Sequence, residues 1–213
     1  IYPLEFTKLA AEGKYYLEYE YGDTSKHFEI KEDVYKEVHN AMIKALYFQR
    51  CGCALEEKYA GVFKHAACHT DMVSLWSDHT VTFECSGGWH DAGDYGRYIT
   101  PAAVTIAHLL YAYKNYPKAF EDELNIPESG NHTADILDEC MYELKWMLTM
   151  QDEADGSVYN KVTTLQFPDM IMPADDRKER FLIGKTADCA YDFAATMALA
   201  SRVYKGNTDY PDF

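Results

Sequence analysis

The stretch SGGWHDAGDYGRYIT, Ser86–Thr100, has no clear hydrophobic period, yet it gathers glycines, a Trp, a His and two aspartates. Asp91 and Asp94 stand three residues apart across Ala92-Gly93. If the loop turns at Gly93, both carboxylates can point to one spot. A carboxylate held there by hydrogen bonds stays ionised near neutral pH and can take a proton from water. The same spacing suits an Asx-turn pair that only shapes the loop.

His90 sits directly before Asp91 and joins a second constellation with Cys51, Cys68 and His69. Two thiolates and two imidazoles make a closed tetrahedral zinc site. The spacing is not that of a zinc finger. A Cys51–Cys68 disulfide fits it as well, as do buried thiols with surface histidines. Cys53, Cys85 and His65 are rival ligands. Four of the six cysteines fall between 51 and 85, which asks for a local explanation such as a metal.

Outward from this region the chain reads as helices joined by long links. EDVYKEVHNAMIKALYFQR predicts an amphipathic helix with Val34, Val38, Met42, Ala45 and Gln49 on one stripe and Leu46 beside it. Further helices are predicted over 101–116 (Val104, Ala107, Leu110, Tyr111), 133–150 (Ile136, Leu137, Cys140, Leu144, Met147, Leu148) and 187–205 (Ala190, Phe193, Ala194, Met197, Ser201). Links this long are uncommon in compact domains unless they carry function. Residues 1–31 differ: KYYLEYEY and KHFEIK, separated by GDTS, predict a hairpin, which alone is marginal in water.

Composition narrows the partners. Lys plus Arg number 20 against 35 Asp plus Glu, a formal charge of −15. Such a surface repels nucleic acid and anionic membranes and favours a neutral ligand. Aromatic residues reach 15%, with 18 tyrosines, which suits flat amphipathic ligands such as sugars and equally suits core packing. No apolar run has the roughly 18 residues of a membrane span. The N-terminus lacks the basic start and apolar block of a signal peptide. Other motifs fail: GKT at 184–186 lacks the upstream glycine of a phosphate loop, and DEADGS at 152–157 lacks calcium-loop spacing.

GGWHDAGDYGRYIT closely resembles the segment around the catalytic aspartates of glycoside hydrolase family 9, the inverting β-1,4-glucanases and their relatives. YFQRCGCAL, HAACHTD, DGSVYNKVTTLQFP and YDFAATMALASRVY fall in the order that family shows, from about Val34 to Phe213. The resemblance implies a mainly α fold, the first part of an (α/α)₆ barrel over residues 32–213. Residues 1–31 resemble the end of the immunoglobulin-like β module that precedes the catalytic domain in one branch. It further implies Asp94 as general base, Asp91 as its partner in holding the water, and a structural Zn²⁺ on Cys51, Cys68, His69 and His90. Calcium also occurs in the family, without ligands that can be assigned here. The general acid would be a glutamate on the C-terminal half of the same enzyme, outside these residues. The expected partner is a β-glucan polysaccharide or oligosaccharide, met outside the cell or in the cell envelope. Exo-acting relatives (cellobiohydrolases, β-glucosidases, glucosaminidases) share the aspartates, and a non-catalytic carbohydrate-binding fragment is the alternative outside enzymology.

Overall fold

The computed structural model describes residues 5–213 and divides the chain into two units, residues 1–42 and 43–213. In the first unit β1 (Gly13–Tyr15) pairs antiparallel with β2 (Phe28–Ile30), with the chain reversing at Gly22. The predicted hairpin is present, though its strands are short. Phe28 packs against the rings of Phe6 and Tyr15 at 5.4 and 6.1 Å. The first four residues of the 1–31 reading lie outside the described residues.

Helix α1 (Lys36–Phe48) crosses from the first unit into the second. The stripe read from its sequence is not its buried face: Val38 is 58% and Met42 69% exposed. The covered side carries Ile43, Leu46 and Tyr47 instead. Tyr47 is drawn inward by the Arg50 guanidinium over its ring and by edge contacts with Phe48 and Tyr59. A short helix α2 (Glu57–Ala60) follows.

The long links are not structureless. They hold a five-stranded sheet in the order β4-β3-β7-β6-β5, formed by β3 (Val73–Leu75), β4 (Asp78–Phe83), β5 (Arg97–Tyr98), β6 (Tyr159–Thr163) and β7 (Phe181–Lys185). Only β3 and β7 run parallel. The strand registers bring segments far apart in sequence side by side: Arg97 faces Val162, and Ser74 faces Phe181.

Three longer helices form the scaffold: α3 (Ile99–Asn115), α4 (Asp135–Thr149) and α5 (Ala187–Val203), with α3 packed on both others. Their positions follow the sequence periodicity closely. Their buried faces follow it in part: on α3, Ile106 and Leu110 are fully buried while Val104 and Tyr111 are half exposed. Helix α4 places Ile136, Leu137, Cys140, Leu144 and Met147 inside the main core, while Leu148 of the predicted stripe is 45% exposed. It also buries Asp135, Asp138, Glu139 and Glu143, and carboxylates are buried only where something meets their polarity. Asp135 accepts from Leu124 N–H and Ser129 O–H, and Asp138 from Asn131 and Tyr210.

The DGS segment between α4 and β6 is a polar turn. Gly156 takes a left-handed φ of 73°, and the Lys185 ammonium faces Asp152 and Asp155 at 2.5 and 3.5 Å.

Candidate active site and metal centre

Residues 86–96 form a loop pinned on both sides. The segment after α1 pairs with it: Cys51 N–H donates to Gly88 O, and His90 N–H donates to Gln49 O, each at 2.7 Å. Beneath it lies Trp146 of α4. Gly88 is required there, since its φ is 75° and a Cβ would come 2.7 Å from the indole. Arg97, 1% exposed, holds the loop's start by donating to the carbonyls of Cys85 and Gly87 at 2.5 and 2.7 Å. Glu143, on α4, accepts the Trp89 N–H at 2.5 Å. Burial pushes the Glu143 carboxyl up to about 8.

The loop then closes on itself, with Asp91 N–H donating to Gly96 O at 2.9 Å and Tyr95 N–H to Ala92 O at 3.0 Å. The reversal does not use Gly93 as its left-handed residue; that conformation falls on Tyr95, with φ 53°. Asp94 Oδ1 accepts Gly96 N–H at 3.1 Å, and Asp94 Oδ2 accepts the Tyr98 hydroxyl. So the Asx turn is present, and the same carboxylate is also fixed by a side-chain donor. Gly96 makes this fit, because a Cβ there would lie 2.7 Å from the Tyr98 ring and 2.9 Å from Asp94 Oδ2.

Asp91 is exposed, and its carboxyl is pushed above the usual range by partial burial and by the neighbouring Asp94 charge. The Asp91 carboxyl thus senses the charge of Asp94. A cavity of about 150 Å³ opens between Asp91, Tyr98, Trp89 and Glu143, with Leu46 and Gln49 on its α1 side. Beside the loop, Phe167 and Ile171 stand exposed. The Phe167 ring approaches Gly93, and the Tyr95 hydroxyl donates to Ile171 O.

Behind His90 the four metal-candidate residues converge. Their donor atoms lie within 4.8 Å of one another, and three of the residues are buried. Cys51 Sγ is 3.6 Å from His69 Nδ1, Cys68 Sγ 3.8 Å from His90 Nε2, and the two imidazole nitrogens are 3.1 Å apart. With Zn–S of about 2.3 Å and Zn–N of about 2.0–2.1 Å, tetrahedral ligands stand roughly 3.3–3.8 Å from each other. These separations of 3.1–3.8 Å come close to that size and the donor set suits it, so a four-coordinate soft cation fits after small side-chain shifts. Cys51 and Cys68 are free thiols. The Cys68 thiol is brought down to about 7 by its hydrogen bond with Cys51, against burial, with Arg97 and Arg180 helping. Burial pushes the His90 imidazole below its usual value, keeping its ligand form neutral. The rivals Cys53, Cys85 and His65 are not in the cluster.

Sequence reading missed five residues that set this geometry: Tyr98, Glu143, Glu139, Asp176 and Arg180. Tyr98 lies inside the quoted stretch and could have been found as a donor near Asp94. The others come from remote segments and give no local signal. Glu139 is fully buried and pairs with Arg50, which also makes two bonds to Glu128 at 3.1 and 2.9 Å. That fixes the chain just before Cys51.

The model for Glycosyl hydrolase family 9 matches residues 35–212. A xyloglucan-specific endo-beta-1,4-glucanase of Bacteroides ovatus is 38% identical over 220 residues, covering 99% of this chain and 37% of that protein. A solved Bacteroides ovatus family 9 structure superposes with a TM-score of 0.89 at 37% identity, over 98% of this chain and 40% of that one. A zinc-binding triple mutant of the family 9 endoglucanase J30 gives 0.84 at 31% identity, over 93% of this chain and 39% of that one. The chain thus spans about two fifths of the length of these relatives, aligned nearly throughout its own. It belongs to glycosyl hydrolase family 9.

Proposed function

We propose that this chain carries the base side of an inverting β-1,4-glucan hydrolase site. The observation that carries the reading is the Asp94 carboxylate, fixed by the Tyr98 hydroxyl and the Gly96 N–H beside a second carboxylate on an exposed loop. Asp94 takes a proton from water as that water attacks the anomeric carbon, and Asp91 orients the same water. Departure of the leaving sugar needs an acid on the other face of the bond, roughly 6.5–9.5 Å from the base. Asp91 cannot be that acid, since it serves the water; the acid comes from a glutamate outside these residues. Residues 32–213 are then the first part of an (α/α)₆ catalytic barrel, and residues 1–31 the end of an immunoglobulin-like module. A polymer of this kind is met outside the cytoplasm, which places the enzyme in the envelope or outside the cell.

Cys51, Cys68, His69 and His90 hold a structural Zn²⁺ in this reading. With four protein ligands it leaves no open position for water, so its contribution is to tie the end of α1 and the loop before β3 to the residue preceding Asp91. Chelation then loosens the aspartate loop.

The test is hydrolysis of a soluble β-1,4-glucan followed by NMR of the newly formed reducing ends. The chain by itself is expected to show no turnover. Joined with the segment bearing the acid, it is expected to release the α-anomer first, in a ladder of product sizes that marks endo action. Initial release of the β-anomer, or turnover by residues 1–213 alone, overturns the assignment.

A further inference from the structure

The zinc reading leaves one ring nitrogen to be accounted for. His69 turns Nδ1 toward Cys51 and His90, so its other nitrogen, Nε2, points away from the cluster. An imidazole that offers the Nδ1 lone pair to a metal carries its proton on Nε2, and that N–H needs an acceptor. Two groups face it. Arg180 Nη2 lies at 2.9 Å but has only donors to offer. Asp176 Oδ2 lies at 3.7 Å, and its side chain is 1% exposed.

Resting on the zinc assignment, we infer that Asp176 is the positioning residue of the metal site, the acceptor that fixes His69 with Nδ1 toward the ion. A ring movement of under roughly 1 Å brings Nε2–H to a normal hydrogen-bond length from Oδ2. Asp176 is held for this task by Arg180, which pairs with the same oxygen. Arg180 in turn donates through Nη1 to Tyr95 O at 3.2 Å, and Tyr95 directly follows Asp94. Tyr95 is the loop residue with the unfavourable positive φ, so it needs external support to stay there. His69, Asp176, Arg180 and Tyr95 therefore make a continuous tether from the cluster to the base. Asp176 and Arg180 reach the site from the segment before β7, more than 100 residues after His69.

The experiment uses the purified zinc-loaded protein and competition with a chromophoric chelator. Asp176→Ala is expected to weaken zinc binding by about 10–100-fold, the usual effect of removing such a partner. Asp176→Glu, which keeps a carboxylate acceptor, is expected to recover part of the loss. In parallel, long-range ¹H–¹⁵N correlation on the unmutated protein is expected to show His69 protonated on Nε2 with Nδ1 bound, a readout that needs no variant to fold. Unchanged zinc affinity in Asp176→Ala, or His69 bound through Nε2, overturns the inference and leaves zinc standing. Unmutated protein that takes up no zinc refutes the zinc assignment itself.

Discussion

Replacing Glu143 with Gln isolates how the aspartate loop is anchored. Glu143 is 1% exposed and faces the Trp89 N–H, with Arg97, Cys51 and Asp91 as the charged or titratable groups nearest it. In the unfolded chain its carboxyl ionises near 4.5; in the fold burial holds it at about 8. Between those values the native state keeps a proton that the unfolded chain releases, so stability falls as pH rises from about 4.5 to about 8 and then levels. At about 1.4 kcal/mol per pKa unit, the upper bound on that loss is roughly 5 kcal/mol. Gln has the shape of the protonated acid and keeps an oxygen to accept the Trp89 N–H, but it cannot ionise. Denaturant unfolding at pH 5 and pH 8.5, with zinc present throughout, compares the two proteins. At pH 5 they should differ by under about 1 kcal/mol. At pH 8.5 Glu143→Gln should be the more stable by a few kcal/mol. A stability difference that does not change with pH would refute the reasoning, because it would mean Glu143 ionises alike in both states.

Two further substitutions probe the loop itself. Tyr98→Phe removes the hydroxyl that holds Asp94 Oδ2; a hydrogen bond to a charged group is worth about 1.5–3 kcal/mol. In the complete enzyme kcat should fall roughly 10–100-fold with KM little changed, as steady-state kinetics on a soluble glucan would show. Gly88→Ala places a methyl 2.7 Å from the Trp146 ring at a φ of 75°; thermal unfolding should show a loss of about 2–4 kcal/mol.

Helix α4 was legible because its apolar positions recur on one broad face that is buried from Ile136 to Met147, with only Leu148 of the stripe left exposed. Helix α1 was placed correctly, but its stripe was misassigned. Val38 and Met42 keep helical spacing yet are exposed, while Tyr47 and Arg50 go inside, the Arg50 guanidinium lying over the Tyr47 ring and pairing with Glu139. The five-stranded sheet escaped notice since Arg97–Tyr98 and Val73–Leu75 are too short to show alternation, and the burial of the longer strands does not alternate: Asp78–Thr82 is exposed throughout, while Phe181 and Leu182 are both buried. At the site, Asp91, Asp94, Cys51, Cys68, His69 and His90 could be singled out because rare residue types stand close together or flank glycines. Glu143, Asp176 and Arg180 could not, because an acidic or basic residue acquires its meaning only when the fold brings a remote loop against it.

The account's central claim is that Asp94 is the base, and Asp94→Asn in the complete enzyme tests it most directly. The substitution keeps the size and an oxygen that can accept from Gly96 N–H, with the amide NH₂ donating to the Tyr98 oxygen, but it removes the ability to take a proton. Turnover of a soluble β-1,4-glucan is predicted to fall by about 10²–10⁴-fold, the usual contribution of a general base, while zinc content and glucan binding stay unchanged. Turnover within a few-fold of the unmutated enzyme, with the same zinc content, would contradict the account.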